Sequence, residues 1–525
     1  MTEIGQLVFR DRRIVHGSLN TCGSIMIETD AAYAALTSRD PRFDGIFFVG
    51  VTSTGIYCRP ICPAKTPLQK NCRFFASAEA AEKESFRPCL RCRPELAPGN
   101  APVDSAQRIA HLIMHRIDEG GIEDDAKLEA IAAQLQLSSR QLRRIVRQEL
   151  GVSPIELLQT RRLLLAKQIL TETRLPMIDV AFASGFSSLR RFNDAFNKRY
   201  RMPPTQLRKQ ATEHTEEIDS AGTSTLRLTY RPPYDWIGIL EFLSVRTIVG
   251  VEQVTADAYL RTVCIGAHKG WVRVTHAPKQ QALLVEFTHS LTPVLPALLG
   301  RLRNLFDLYA RPDVIAAQLR KEKALQQSMQ KNPGLRVPGA FDGFEMAIRA
   351  ILGQQITVKA ATTLACRFAD AFGLPIETPF PELSRLSPLP RDIADASIDA
   401  IAVLGIIGAR AKSIVALAKA FNAGDLHLEA GAIPEIAISK LVDLPGIGQW
   451  TAHYIAMRAL RWPDAFPKED IAIRNRLGGV TAKQAEEMSQ AWRPWRSYAV
   501  MHIWRMPPIA TTSQTQPVAN ARRKA

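Results

Sequence analysis

The chain carries, from Leu444 to Arg474, the stretch LPGIGQWTAHYIAMRALRWPDAFPKEDIAIR. Its opening residues, LPGIG, predict a tight hairpin between two helices, because glycine tolerates positive φ and the close approach of another backbone. The amides that begin the following helix are typical of a phosphate site. We therefore expect Gly446 and Gly448 to lie where a phosphate binds.

An aromatic face and a single acid follow this hairpin. Thr451–Leu460 is predicted to be helical, with Trp450 and Tyr454 one turn apart on the same face. Pro463 ends the helix, and Asp470 follows on a short return segment. The predicted phosphate-binding hairpin, the aromatic face and the carboxylate lie close together in the sequence. This combination indicates chemistry on a nucleotide.

This stretch resembles the helix-hairpin-helix, Gly/Pro-rich loop and aspartate of the DNA glycosylase superfamily, and most closely those of 3-methyladenine DNA glycosylase II. The resemblance implies that Asp470 is the catalytic acid and that the hairpin contacts DNA. A monovalent cation bound at the helix-hairpin-helix is a further expectation. The alternative is a helix-hairpin-helix that only binds DNA, with Asp470 as an ordinary cap or surface carboxylate.

The same resemblance places three aromatic residues, Trp450, Tyr454 and Trp504, around a flipped base. The alternative is that these residues only pack in the hydrophobic core, as most aromatic residues do. An electron-rich pocket would favour an N3- or N7-alkylated purine, which carries positive charge and leaves without protonation. One carboxylate could then suffice where sugar hydrolases usually need two.

Two further positions refine this expectation. Related glycosylases that also cleave the strand carry a lysine two residues after the last hairpin glycine. Trp450 occupies that position, so a monofunctional glycosylase that leaves an abasic site is expected. The segment AILGQQI matches the place where a side chain of this family enters the duplex, which implies that Gln355 is the wedge, polar where the family has an apolar residue.

The composition is that of a soluble globular protein, with 46% hydrophobic and 22% charged residues among 525, enough for three or four domains. Lys and Arg outnumber Asp and Glu by 67 to 51, and the resulting charge of +16 favours nucleic acid as a partner, although a solvated basic surface gives the same count. No run of residues suits a membrane helix or a signal peptide. A cytoplasmic location is therefore expected, with cysteines as thiols or metal ligands.

Four cysteines form two close pairs, Cys58 with Cys62 and Cys89 with Cys92. The spacing is C-x3-C, then 26 residues, then C-x2-C, which fits a tetrahedral zinc site. The alternative is four unrelated buried cysteines. Four thiolates around Zn²⁺ leave a formal charge of about −2, so the sulfurs would be electron-rich and nucleophilic.

The surrounding residues, STGIYCRPICPAK and FRPCLRCRP, resemble the N-terminal domain of the Ada adaptive-response family. That resemblance implies that Cys58 irreversibly accepts a methyl group from a DNA methylphosphotriester, and that all four cysteines hold one zinc ion. Cys72 lies between the pairs, matches no ligand and is interpreted as packing.

Residues 106–208 contain an internal repeat. LSSRQLRRIVRQELGVSP aligns with SSLRRFNDAFNKRYRMPP at an offset of 50, and each copy follows a short predicted helix, at Leu128–Leu135 and Met177–Ala183. This predicts two helix-turn-helix units joined by a helix at Pro154–Leu170. The arginines expected to reach into the major groove are Arg140, Arg143, Arg190 and Arg191.

The repeat resembles the AraC/XylS regulator domain, which also follows the zinc domain in Ada. Gly151 of the first copy is replaced by Arg201 in the second, where a left-handed helix cap prefers Gly or Asn, and this puts the second turn in doubt. The alternative is a helical bundle with a charged solvent face.

The sequence predicts a multidomain protein, mainly α with α+β parts. Short β runs after Leu226 predict a small antiparallel sheet covered by a helix at Tyr234–Leu243, which resembles the N-terminal domain of the glycosylase family. The expected parts are a zinc and methyl-acceptor domain (1–100), a double helix-turn-helix domain (104–211), a flexible linker (212–224), a small α+β domain (225–297), a helix-hairpin-helix glycosylase domain (298–507) and a disordered tail (508–525).

The expected function is DNA alkylation repair together with its regulation. The expected partners are double-stranded DNA, both alkylated DNA and promoter DNA, and RNA polymerase. The protein is expected to be a monomer and to lie at the nucleoid in the bacterial cytoplasm. The Pro-Cys-His-Arg motif of O6-alkylguanine transferases is missing from the sequence. Two alternatives stay open: a transcription factor whose glycosylase part only binds DNA, and a constitutive repair enzyme that the first two domains merely hold on DNA.

Overall fold

The computed structural model describes most of the chain after its first 28 residues. The described residues are 29–39, 47–75, 81, 84–89, 91–92, 109–110, 112–114, 116–117, 120–122, 124–135, 137–212, 222–429 and 432–507. Most of the expected linker and the expected disordered tail lie outside them. The chain divides into two compact units, residues 1–108 and 109–525, and the finer domain boundaries stay predictions.

The first unit is built on a small sheet. Its elements are α1 (Thr29–Ser38), β1 (Phe48–Val51), β2 (Ile56–Cys58), β3 (Cys72–Phe75) and β4 (Arg87–Pro88). Strand β1 pairs antiparallel with β2 and β3, and β2 pairs parallel with β4. Gly50 in β1 allows two rings to close over the strand, because a Cβ there would lie 2.7 Å from Phe75 and 2.9 Å from Phe86.

The second unit begins with two helix-turn-helix units, as predicted. Their helices are α2 (Asp125–Gln134), α3 (Ser139–Leu150), α4 (Pro154–Glu172), α5 (Met177–Ala183), α6 (Leu189–Tyr200) and α7 (Pro204–Thr212). Helix α2 starts three residues before the expected position because the Asp124 side chain accepts a hydrogen bond from the Lys127 amide at 2.9 Å. Ser138 and Ser153 cap α3 and α4 in the same way.

The two repeat copies fold alike. Residues 140–150 and 190–200 show the same sequence of buried and exposed positions. Gly151 ends α3 with φ +74, and Arg201 ends α6 in the same left-handed conformation with φ +55. The second turn therefore forms in spite of the arginine, at a cost of about 1 kcal/mol.

A five-stranded antiparallel sheet follows, as predicted. Its elements are β5 (Thr223–Thr229), α8 (Trp236–Ser244), β6 (Glu252–Val254), β7 (Ala258–Ile265), β8 (His268–Ala277) and β9 (Ala282–Thr288), in the spatial order β5-β9-β8-β7-β6. Asp235 caps α8 through the Gly238 amide at 2.9 Å, so this helix begins two residues after its expected start. Strand β5 begins at Thr223, inside the segment that was expected to be linker.

The described residues after β9 are mainly helical. Their helices are α9 (Leu295–Leu305), α10 (Pro312–Leu319), α11 (Lys323–Lys331), α12 (Gly343–Leu352), α13 (Val358–Phe372), α14 (Pro390–Ile393), α15 (Ile398–Ala402), α16 (Gly408–Asn422), α17 (Pro434–Val442), α18 (Gln449–Arg458), α19 (Ile471–Arg476), α20 (Ala482–Ser489) and α21 (Arg496–Trp504). Helix α12 is the centre of this region, with eight of its ten residues buried. Throughout the described chain, no helix combines the length and the apolarity needed to cross a membrane.

Four charged side chains, three of them buried, join the sheet to α12. Arg261 on β7 donates to Glu345 on α12 at 2.8 Å, and Arg349 on α12 donates to Glu252 on β6 at 2.6 Å. Arg349 also reaches Glu345 at 2.8 Å. Each charge faces an opposite one, which offsets the cost of burying them and fixes the orientation of α12.

Candidate functional site

The four predicted cysteines come together. The sulfur atoms of Cys58, Cys62, Cys89 and Cys92 all lie within 4.8 Å of one another. Four sulfurs at the usual zinc–sulfur distance are separated by about 3.8 Å, so the cluster fits one tetrahedral zinc ion. Three of the four are buried, and Cys58 is partly exposed.

The small sheet positions this cluster. Cys58 is the last residue of β2 and pairs with Val49 on β1. Cys89 follows β4, and its amide donates to the Tyr57 carbonyl at 3.0 Å. The parallel pairing of β2 with β4 thus brings the two cysteine pairs to the same end of the sheet.

The cysteines perturb one another strongly. A hydrogen bond with Cys58 is the main reason that the pKa of Cys62 is lowered, and the same contact raises the pKa of Cys58. Four crowded thiols cannot all ionise without a cation to offset their repulsion, which is the donor set that suits Zn²⁺. The amide of Arg59, a buried residue, donates to the Cys92 sulfur at 3.3 Å.

Cys72 lies apart from the cluster. Its thiol donates to the Leu68 carbonyl at 3.4 Å, and its side chain packs against a buried cluster that includes Ala32 and Val49. Burial raises its pKa. These contacts agree with its interpretation as a packing residue.

The hairpin at residues 444–448 joins α17 to α18. Gly446 has φ +76, and a Cβ there would lie 2.3 Å from the Ser413 hydroxyl, so both conformation and space require glycine. Gly448 is the N-cap of α18 and is exposed. Helix α18 therefore starts at Gln449, two residues before the expected position.

Asp470 lies where the aromatic residues converge. Its Oδ2 accepts from the Trp450 indole at 3.1 Å, and its Oδ1 accepts from the Trp504 indole at 3.4 Å. Oδ1 also accepts from the Ile473 amide at 2.9 Å, so Asp470 caps α19. The same carboxylate is thus both a helix cap and a member of the aromatic cluster.

The three predicted aromatic residues line one partly exposed surface. Trp450 and Tyr454 stack with ring centroids 5.5 Å apart and an angle of 5° between their planes. Trp504 lies 6.2 Å from Tyr454 at an angle of 59°. The Asp470 carboxylate lies at the edge of this surface, bound by the indoles of Trp450 and Trp504.

Three other residues at this surface, Arg458, Arg246 and Phe242, were not predicted from the sequence. Arg458 donates to the Tyr454 hydroxyl at 2.9 Å, although it is only 4% exposed. Arg458 and Arg246 both lie against the Phe242 ring, 4.7 and 3.8 Å from its centroid. Burial alone would raise the pKa of Tyr454, but the two arginines lower it below its ordinary value.

The expected wedge lies beside the hairpin. Gln355 is exposed after α12 and has φ +54, a strained conformation that is common at functional loops. Its neighbour Gln354 donates to the Gly446 carbonyl at 2.9 Å and to the Thr451 hydroxyl at 3.0 Å. Arg410 donates to the Gln354 carbonyl and fixes this loop from the other side.

Three of the four helix-turn-helix arginines are exposed. Arg140, Arg190 and Arg191 face solvent, and Arg191 donates to the Ser187 hydroxyl at 3.2 Å. Arg143 is only partly exposed and forms an ion pair with Asp125 at 2.7 Å. A base contact by Arg143 would therefore have to replace this pair.

Four family models match the chain in the predicted order. They describe the metal binding domain of Ada (residues 31–95), a helix-turn-helix domain (131–210), the AlkA N-terminal domain (225–342) and the HhH-GPD superfamily of base excision DNA repair proteins (348–497).

Three relatives cover the chain or its parts. The "Probable bifunctional transcriptional activator/DNA repair enzyme AlkA" of Mycobacterium tuberculosis is 38% identical over 90% of this chain and 96% of its own length. DNA-3-methyladenine glycosylase 2 of Escherichia coli is 36% identical over 53% of this chain and 95% of its own. The bifunctional transcriptional activator/DNA repair enzyme AdaA of Bacillus subtilis is 30% identical over 35% of this chain and 84% of its own. The chain therefore belongs to the family of bifunctional transcriptional activator/DNA repair enzymes AlkA.

Proposed function

We propose that the second unit is a monofunctional DNA glycosylase that releases alkylated bases of the 3-methyladenine type. The observation that carries this proposal is one carboxylate, Asp470, bound by two indole N–H groups at the edge of an aromatic surface. Aromatic faces attract a positively charged alkylpurine more than a neutral base. The base would leave the duplex and stack on Trp450 and Tyr454.

In the proposed reaction, the bond between C1′ and the base nitrogen breaks, and its electron pair neutralises the cationic base. Positive charge then develops on the sugar, and Asp470 stabilises it electrostatically. Water adds to C1′, loses a proton and leaves an abasic site. Trp450 stands where strand-cleaving relatives need an amine, so no protein–DNA Schiff base forms.

Gln355 and the hairpin hold the DNA during this step. The exposed, strained position of Gln355 suits a side chain that fills the space of the flipped base. Gly446 and Gly448 let the first turn of α18 approach a phosphate. A monovalent cation at the hairpin carbonyls stays a prediction.

The first unit is proposed to sense alkylation through the cysteine cluster. One bound Zn²⁺ would keep the sulfurs ionised at neutral pH. Cys58, the most accessible of the four, attacks the methyl group of a methylphosphotriester. A sulfur–carbon bond forms, the carbon–oxygen bond breaks, and its electron pair returns to the phosphate as an anionic diester.

With one Zn²⁺ bound, methyl transfer would change the formal charge of the site from about −2 to −1, because a thiolate becomes a neutral thioether. The site then repels DNA phosphates less, and promoter DNA binds more tightly in a salt-dependent way. The exposed helix-turn-helix arginines read the promoter, and RNA polymerase is the expected downstream partner. Mass spectrometry would locate the methyl group, and gel shifts at two salt concentrations would measure the affinity.

Base release from methylated DNA is the deciding experiment for the glycosylase. The proposal requires free alkylpurine and an abasic site, without a covalent adduct trapped by borohydride. A protein that binds methylated DNA but releases no base would instead be a transcription factor with a DNA-binding relic. Promoter binding that is unchanged by methylation would favour a constitutive repair enzyme.

A further inference from the structure

The second helix-turn-helix unit and the glycosylase sheet share one hydrophobic cluster. Helix α4 packs on β5, and α5 packs on the turn after β9, at residues 289–294. On both sides the side chains of this cluster are almost fully buried. Examples are Leu163, Ile169, Val180 and Phe192 from the helices, and Leu226, Leu228, Val285 and Leu291 from the sheet region.

Polar contacts from α4 cover an edge of the sheet. Strand β5 is an edge strand, and the outward backbone groups of such a strand need a partner. The Arg227 amide donates to Glu172 at 2.9 Å, and the Arg227 carbonyl accepts from Gln168 at 2.7 Å. The Arg227 guanidinium also donates to Glu172 at 2.9 Å, and that carboxylate is only 13% exposed.

This docking leaves both DNA-contacting surfaces free. Arg190 and Arg191 remain exposed on α6, and Gln355 remains exposed on the wedge loop.

The first helix-turn-helix unit adds a weaker contact, because Arg116 lies 3.5 Å from Glu429 beyond α16.

We propose that the second helix-turn-helix unit is docked permanently on the β5 edge, so that the regulator and the glycosylase engage DNA as one rigid body. The proposed function needs only a tether between these parts, and a tether would let each bind DNA in any relative orientation. A rigid body can place both surfaces on one duplex only when the promoter sequence and the alkylated base lie on suitable faces of the DNA helix.

Cutting the connection tests the docking itself. A protease site placed within residues 213–221 of the full chain separates the two parts covalently, and size-exclusion chromatography then shows whether they stay together. We expect the cut halves to elute together at micromolar concentration. Glu172→Arg should weaken their association about tenfold or more, because it removes a charged hydrogen bond. Glu129→Arg makes the same charge change on α2, away from this edge, and should leave it unchanged.

The proposal would be overturned if the two fragments of the cut wild-type protein separate. This holds whether both fragments stay soluble or the smaller one precipitates. The double variant Glu172→Arg with Arg227→Glu restores opposite charges and should recover part of the association. Failure of the glycosylase assay would leave this result intact, since the docking test has no activity readout.

Excision at defined distances tests the functional consequence. The binding sequence is first selected from random-sequence DNA with the Asp470→Asn protein. A series of duplexes then carries this sequence and one alkylated purine, and the distance between the two increases along the series. A rigid body predicts excision rates that rise and fall with a period of about 10.5 base pairs. A smooth dependence on distance would show a flexible tether and contradict the proposal.

Discussion

Trp450 donates its indole N–H to Asp470 across 3.1 Å, so the aromatic surface and the acid are one connected unit. Trp504 binds the other carboxylate oxygen at 3.4 Å, and the Ile473 amide binds that same oxygen at 2.9 Å. Oδ1 is thus occupied by two donors, and Oδ2 by one. Oδ2 therefore keeps a free lone pair, and in the proposed reaction this oxygen faces the sugar.

Trp450→Phe tests this arrangement. Phenylalanine keeps an aromatic face but removes the N–H that orients Oδ2. A hydrogen bond to a charged group contributes about 1.5–3 kcal/mol, so single-turnover excision should slow by roughly 10- to 150-fold. Trp504→Phe is the matched control and should have the smaller effect, because its bond is longer and Oδ1 keeps the Ile473 amide. Equal effects of the two changes would contradict the role of Oδ2.

Asp470→Asn should abolish base excision and leave DNA binding nearly intact. Asparagine caps a helix as well as aspartate does, so α19 should keep its start. The lost charge should cost several kcal/mol in the barrier, equivalent to at least a 100-fold slower reaction. Base release and DNA affinity measured on the same preparation check both halves of this prediction. An excision rate close to that of the wild type would show that another group stabilises the sugar.

Cys62→Ala should eliminate bound zinc, whereas Cys72→Ala should retain one zinc ion per chain. The reason is that Cys62 belongs to the four-sulfur cluster, and Cys72 packs elsewhere in the same unit. Metal content measured by atomic emission distinguishes the two. Loss of zinc in both variants would mean that Cys72 supports the site through the fold of its strand.

Glu345→Gln should lower the free energy of unfolding by about 3 kcal/mol at pH 7, because Arg261 and Arg349 lose one of the two buried carboxylates that they share. Burial by itself raises the pKa of Glu345, but the two arginines bring it down to about 2. A lowered pKa stabilises the fold above the ordinary value near 4.5, and this contribution disappears as the pH falls toward 2.

Tryptophan fluorescence suits this measurement, since all seven tryptophans lie between residues 236 and 504. The variant should show a flatter loss of stability in acid than the wild type. Glu487→Gln changes an exposed carboxylate and serves as the control. Parallel acid profiles of variant and wild type would contradict the assignment.

Arg201→Gly should stabilise the second helix-turn-helix unit by about 1 kcal/mol, because glycine adopts φ +55 without strain. The reverse change in the other copy, Gly151→Arg, should destabilise the first unit by a similar amount. Amide hydrogen exchange in α6 and α3 reports each change locally, as about a fivefold shift in protection. No change in α6 exchange would show that the arginine side chain compensates for the strain.

Local patterns in the sequence predict much of this fold. The short cysteine spacings predict the four-cysteine cluster, and the 50-residue repeat predicts two similar helix-turn-helix units. The observed helix starts differ from the predicted ones by two or three residues where a capping side chain sets the start, as at Asp124 and Asp235. Side-chain caps decide such ends, and periodicity alone does not contain them.

Contacts between distant residues are harder to predict. Arg246 lies in the turn after α8, about two hundred positions before Tyr454, and it contacts Tyr454 although nothing near Arg246 in the sequence indicates a site. The role of Arg227 is similar, because a strand edge has no local signature of the helix that covers it. The segment before Arg227 was expected to be a flexible linker, yet Thr223 and Ser224 already belong to β5.

The shared core also bears on how the protein is made. The helices α4–α6 leave the ribosome before the sheet that covers them, which is complete only at Thr288. At ordinary rates of synthesis, those roughly ninety further residues take about 4–18 s. During that interval the apolar face of α4 and α5 is uncovered. The newly made helix-turn-helix units should therefore depend on chaperones until the sheet has been synthesised.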